Sequence, residues 1–152
     1  MNKFYLILPN IRSCHNVGAM FRTADAFGVS KLFLCGYTAC PPKPQIDKVS
    51  LGAEKWMKWK HYKSAKRCIN ILKKKGVKIV ALEQSEKSVL LQKAKFSGPI
   101  ALVVGNEVDG VNPEILKMCD EVVHINMQGR KESLNVSVAA GIAMYEIASQ
   151  IN

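Results

Sequence analysis

Apolar and polar positions alternate between two periods along the whole chain. Short apolar runs predict strands at Lys3–Leu8, Val29–Cys35, Val77–Leu82, Pro99–Val104 and Val122–Ile125. The first stops at Pro9, which cannot donate to a sheet ladder. Val77–Leu82 and Pro99–Val104 are almost continuously apolar, as strands covered on both faces should be. Between these runs the period lengthens to that of a helix. Val17, Met20, Phe21, Ala24 and Phe27 mark one helix, with Asn16 as its N-cap and Gly28 just past its end. Ser64–Lys75 predicts a second, with a basic last turn suited to the helix dipole and Gly76 as its stop. Pro113 suits the first turn of a short helix running to Met118. A long tail helix begins at Ser133, a good N-cap. Leu134, Val138, Ile142, Tyr145 and Ile151 fall near one of its faces, with Ala139 and Ala148 beside them, and the plainest role for that face is to close a core. Gly36–Asp47, with Pro41, Pro42 and Pro44, predicts an irregular loop. Residues 83–98 are polar apart from a short helical patch over Val89–Ala94.

Strands that alternate with helices predict an α/β fold: a mainly parallel sheet flanked by helices. No internal repeat, low-complexity tract or linker interrupts the pattern, so residues 1–152 read as a single domain.

Composition narrows the function. Hydrophobic residues make up 48% and charged residues 22% of 152, ordinary for a globular domain with a full core. The apolar run at the N-terminus is too short for a signal peptide and lacks a small-residue cleavage site. No stretch is long enough to span a bilayer, so a cytoplasmic protein is expected. The five cysteines are scattered, no C-x-x-C pair occurs, and the three histidines lack ligand spacing. Reduced thiols and no metal site are expected. The formal net charge of +10 favours polyanionic partners, nucleic acid first. One stretch, KVSLGAEKWMKWKHYKSAKR at 48–67, interleaves Trp56, Trp59 and Tyr62 with Lys55, Lys58, Lys60 and Lys63. That composition suits a surface that neutralises phosphate and stacks bases. It equally suits a partly buried edge segment with lysines on its wet side.

Candidate chemistry gathers after the strands. Three loops follow apolar strands: Glu83 onward, Gly105–Gly110 and Met127–Ser133. In a parallel sheet these share one edge, where ligands bind. No G-x-G-x-x-G, P-loop or H-E-x-x-H motif is present. A site here must work by positioning, with Asn, Arg, Glu and Ser arranged around a ligand held largely by backbone groups.

Three stretches make the reading specific: NVGAMFRTADAFGV at 16–29, IALVVGNEVDGV at 100–111 and INMQGRKESLNVSVAAGIAMYE at 125–146. In this order and spacing the chain resembles a SpoU-type RNA 2′-O-ribose methyltransferase of the SPOUT superfamily. The resemblance implies S-adenosylmethionine as cofactor, no metal, a C-terminal trefoil knot, and a homodimer whose active sites draw residues from both chains. It implies an RNA substrate, with transfer RNA ahead of ribosomal RNA because the bare domain resembles the minimal members. Carried over residue by residue, Arg22 is the catalytic residue, accompanied by Asn16, Glu107, Ser133 and Asn135. Because a guanidinium is a poor base, Arg22 is expected to grip phosphate and stabilise the developing alkoxide, proton removal being the stronger claim. Asn16 would hold the arginine or the nucleotide, a role compatible with capping its helix. Backbone groups near Leu82, Gly105, Ile125 and Leu134 would hold the cofactor, with Asn106, Glu107, Met127 and Ser133 around it. One departure stands out: Asn126 replaces the family's usual proline, which bears on cofactor affinity. The competing reading, an RNA-binding module without catalysis, is disfavoured because the expected residues are all present.

Overall fold

The apolar runs pair into one seven-stranded sheet, all parallel, in a computed structural model that describes residues 3–152. Met1 and Asn2, the start of the N-terminal run, lie outside the described residues. In chain order the elements are β1 (Phe4–Pro9), α1 (Cys14–Ala26), β2 (Lys31–Cys35), α2 (Pro44–Ser50), α3 (Ala53–Trp56), β3 (Trp59–Tyr62), α4 (Ala65–Lys74), β4 (Lys78–Leu82), β5 (Val89–Leu90), β6 (Ile100–Val103), α5 (Pro113–Met118), β7 (Glu121–His124) and α6 (Val136–Ile151). The strand order is β3-β2-β1-β6-β4-β7-β5. At the centre, Ile7 pairs with Phe33 on one side and Val103 on the other.

Alternation along the strands divides the core in two. Leu6, Leu8, Leu32, Leu34 and Leu102 face α1 and α6, where they meet Val17, Met20, Phe21, Ala143, Met144 and Ile147. Ile7, Phe33, Cys35, Ile79 and Val103 face the other way, onto Cys68, Ile69 and Leu72 of α4 and Ile115 of α5. Both layers are needed because β1, β6 and β4 are apolar on both faces. Among the described residues no helix is long and apolar enough to cross a membrane.

The predicted elements are found, with five corrections, and α3 and β3 are additions to them. α1 is capped by Ser13, whose Oγ accepts the Asn16 N–H at 3.2 Å, so Asn16 lies inside the first turn. α6 is capped by Asn135, whose Oδ1 accepts from the N–H groups of Ser137 (2.9 Å) and Val138 (3.3 Å), so Ser133 stays in the loop. The proline-rich loop ends earlier than expected: Pro44 starts α2 at a position where its missing N–H costs nothing. The Val89–Ala94 patch is a two-residue strand followed by a single 3₁₀ turn.

The face of α6 also differs: of the residues expected to close the core, Ala148 and Ile151 are buried, while Leu134, Val138, Ile142 and Tyr145 are exposed. Ala140, Ala143, Met144, Ile147 and Ile151 turn inward, while Val138, Ile142 and Tyr145 are 51%, 43% and 62% exposed. Almost the whole helix is apolar, so periodicity alone could not choose a side. Large and small apolar residues stand on both sides, so the choice of face is made by packing against α1 and the sheet.

Candidate active site

Because every strand runs the same way, the loops after β1, β2, β4, β6 and β7 open on one edge of the sheet. The loop after β6 is the most rigidly built. Asn106 and Gly110 exchange two backbone hydrogen bonds of 3.0 Å, and the Asn106 side-chain oxygen accepts the N–H groups of Val108 (2.8 Å) and Asp109 (3.1 Å). The same side chain donates to the Asn10 carbonyl (2.6 Å) and the Tyr37 hydroxyl (2.9 Å), which ties the loops after β1 and β2 to it. Gly105 must be glycine: a Cβ there would lie 2.6 Å from the carbonyl carbon of Gly110.

The apex residue Glu107 reaches across to the start of α1. Its carboxylate accepts the Arg12 N–H (2.8 Å), the Ser13 N–H (2.9 Å) and the Asn16 side-chain amide (2.9 Å). Desolvation pushes its pKa up, but these hydrogen bonds outweigh it and hold the carboxyl below its ordinary value. A carboxylate so employed is a clamp on donors that the helix leaves unpaired, and its chemistry is to position α1. Asn16, 5% exposed, then accepts from the Asn135 side-chain amide at 3.2 Å. One residue from each of the three sequence stretches thus meets in a continuous chain, Glu107–Asn16–Asn135.

Beside that chain lies a cleft of about 860 Å³. It is lined by Leu82, Gly105, Asn106, Glu107, Ile125, Met127, Ser133 and Leu134, all eight of the cofactor candidates, and by Asn135. The floor is apolar (Leu82, Val104, Ile125, Ala139) and the rim polar. Two features suit a polar ligand of small-molecule size. His124 has a buried Nδ1 with no hydrogen-bond partner among the described residues. From Asn126 to Leu134 the chain makes no hydrogen bond or ion pair among the described residues, so the backbone groups of this loop are unengaged beside the cleft.

Arg22 is not part of this cleft within one chain. It lies on the exposed side of α1, six residues beyond Asn16. The pairing with Asp25 that its spacing allowed is not formed; Asp25 accepts instead from the Trp56 indole N–H at 2.9 Å. Near Arg22, α1 and α6 frame a groove of about 610 Å³ lined by Ala19, Thr23, Phe27, Val138, Ile142 and Tyr145, with the Phe27 and Tyr145 rings edge to face at 5.5 Å.

Several residues of the site escaped sequence reasoning. His124 was weighed only as a metal ligand. Glu83, whose Oε2 accepts the Val111 N–H at 2.8 Å, holds the loop after β6 from the far side, and its position directly after β4 was the available signal. Among the described residues no cluster of His, Cys, Asp and Glu could hold a metal ion. A hydrogen bond to Cys35 and burial raise the Cys68 pKa, and burial beside Asp120 pushes Cys119 up to about 11.

Comparison with known proteins agrees with this geometry. The SpoU rRNA Methylase family matches residues 3–145. The tRNA (guanosine(18)-2′-O)-methyltransferase of Aquifex aeolicus is 39% identical over 93% of this chain and 66% of its own length. The 23S rRNA (guanosine-2′-O-)-methyltransferase RlmB of Acinetobacter baylyi is 36% identical over 95% of this chain and 59% of its own. The chain spans 58–66% of the length of the curated relatives it matches. Among solved structures, the A. aeolicus TrmH/SpoU tRNA modifying enzyme superposes with a TM-score of 0.88 at 34% identity, over 99% of this chain and 76% of that one. Another, described in terms of 2-OH methylation of C/U34 on tRNA, superposes at 0.87 and 26% identity over 98% of this chain and 96% of that one.

Proposed function

The chain belongs to the SpoU rRNA Methylase family, and from that premise we propose that it methylates a ribose 2′-hydroxyl of RNA with S-adenosylmethionine as donor. The observation that carries the proposal is the Glu107–Asn16–Asn135 chain set against a cleft that holds every cofactor candidate. The cofactor, when bound, supplies an electrophilic methyl group on a sulfonium sulfur. This chain's residues do the rest. The apolar floor of Leu82, Val104 and Ile125 suits an adenine ring, and the unengaged backbone of 126–134 suits the polar groups around it. Support for this donor also comes from an AdoMet-bound rRNA methyltransferase of Sinorhizobium meliloti, which superposes at 0.92 with 28% identity.

Arg22 grips a phosphate of the substrate and stabilises the oxygen as its proton leaves. A guanidinium is a poor base, so it acts by charge. The displacement needs oxygen, methyl carbon and sulfur in line, and Asn135, fixed through Asn16 to Glu107, helps set that alignment. Arg22 reaches the cleft from a second copy of the chain. What supports this is the apolar groove between α1 and α6, which exposes Val138, Ile142 and Tyr145 and is also lined by Thr23, the residue after Arg22. The interleaved strand order β6-β4-β7 is consistent with a knotted tail, which belongs to the same reading. Transfer RNA is the preferred substrate, supported by two solved neighbours described as acting on tRNA, at 34% and 26% identity.

The test is incubation with tritiated S-adenosylmethionine and separate pools of unmodified transfer RNA and ribosomal RNA. Label in the transfer RNA pool is expected. Label in neither pool would overturn the proposal, and label only in ribosomal RNA would overturn the choice of substrate.

A further inference from the structure

The basic and aromatic stretch at 48–67 does not enter the cleft, and the structure divides its aromatics. Trp59 packs against the core and Tyr62 against Phe33, whose ring centroid lies 5.9 Å away, so these two are edge-strand residues. Trp56 is different. It is 61% exposed, although it is among the largest apolar side chains of the protein. Its ring is nonetheless held in place: the indole N–H donates to Asp25 at 2.9 Å, and the ring lies against Gly52. Gly52 has φ +98, and a Cβ there would come within 3.3 Å of the ring. With its N–H engaged, the indole has only π-surface to offer.

The surroundings are cationic. Six lysines lie between residues 43 and 63, against two carboxylates, Asp47 and Glu54. Glu54 is engaged by the Ser50 hydroxyl. None of the six lysines forms an ion pair among the described residues. Asp25, which anchors the ring, lies one helical turn after Arg22 on the same face of α1. The fixed ring therefore sits next to the residue assigned to the substrate phosphate.

We propose that the corner formed by α3 and the start of β3 is a docking surface for a single-stranded RNA segment, with Trp56 stacking one nucleobase and Lys55 and Lys58 taking phosphates beside Arg22. This rests on the functional reading above and names where the substrate lies. Single strands are favoured because only unstacked bases offer a face to an aromatic side chain. The fixed ring loses little freedom on binding, and the unpaired lysines release counterions from the RNA backbone.

The experiment uses the full chain with bulk unmodified transfer RNA as probe. Trp56 and Trp59 are the only tryptophans, so in a Trp59→Phe background the emission reports on Trp56 alone. RNA is expected to quench it. Trp56→Ala should weaken RNA binding and raise KM by about 5- to 100-fold, the range for one lost base–aromatic stack, with kcat little changed. Trp56→Phe should retain most of the affinity. The double variant K55A/K58A should lower the slope of log affinity against log salt by about 2. S-adenosylmethionine affinity and dimer mass should stay at wild-type values throughout. Unchanged RNA affinity in Trp56→Ala, or dissociation of the dimer by that substitution, would overturn the proposal. If the wild type labels RNA and Trp56→Ala does so with the same KM, only the docking surface fails. If the wild type labels no RNA, the functional reading fails independently.

Discussion

Asn16 is a buried amide with both ends engaged, the oxygen by Asn135 and the nitrogen by Glu107. Such a residue transmits position, and Arg22, exposed on the same helix, has what a charge-stabilising residue needs: freedom to meet a phosphate. Arg22→Ala is expected to reduce methyl transfer by at least 100-fold, the scale of losing one preorganised charge-stabilising group, while calorimetry finds cofactor affinity within twofold of wild type. Equal loss of both would contradict the assignment. Glu107→Gln should weaken the clamp on α1 and cost about 1 kcal/mol at neutral pH, at the low end for charge-assisted hydrogen bonds because the site is exposed. The folded-state carboxyl titrates below its unfolded value. The clamp's stabilisation is therefore complete above the unfolded-state pKa and drains away as pH falls through the folded one. Urea denaturation at neutral and acidic pH should show the gap between wild type and Glu107→Gln closing in acid. At this scale the sequence revealed residue identities better than roles. Ser13 and Asn16, or Ser133 and Asn135, are equally good caps by type, and only the hydrogen bonds decide which one caps and which one connects.

At the scale of elements, two glycines hold the site together by letting backbones approach. At Gly18 a Cβ would sit 2.6 Å from the Ile46 carbonyl oxygen, so α2 packs onto α1 only because that position is bare. Gly18→Ala should destabilise the fold by about 1–3 kcal/mol, read as a lower denaturation midpoint, because rigid backbone on both sides must move. Gly105→Ala should act on the site more than on the fold, displacing the loop after β6 and weakening cofactor binding at least tenfold by calorimetry. The strands were the most legible elements, since unbroken apolar runs such as Ile79–Leu82 have few other uses. α2 was hidden by its prolines, one of which begins it. α6 was legible as a helix but not in its orientation, because residues on both sides are apolar and neither polarity nor size separates them. The strand order is set by long-range pairing that no local period carries.

At the scale of the molecule, the apolar groove between α1 and α6 and the cationic strip along 43–63 divide the labour: one suits a second copy, the other a polyanion. Tyr145→Lys or Val138→Asp should shift the mass in sedimentation from dimer to monomer and abolish methylation, since Arg22 would no longer reach a cleft. Methylation by a stable monomer would contradict the composite site. The net charge of +10 favours a polyanionic partner from composition alone; the position of the strip needed the fold. The most direct test concerns the atom that receives the methyl group. After reaction with tritiated S-adenosylmethionine, the RNA is digested in alkali, which cleaves next to free 2′-hydroxyls but not next to methylated ones. Label is expected in alkali-resistant dinucleotides. Label recovered in alkali-labile mononucleotides, methylated on the base, would contradict it.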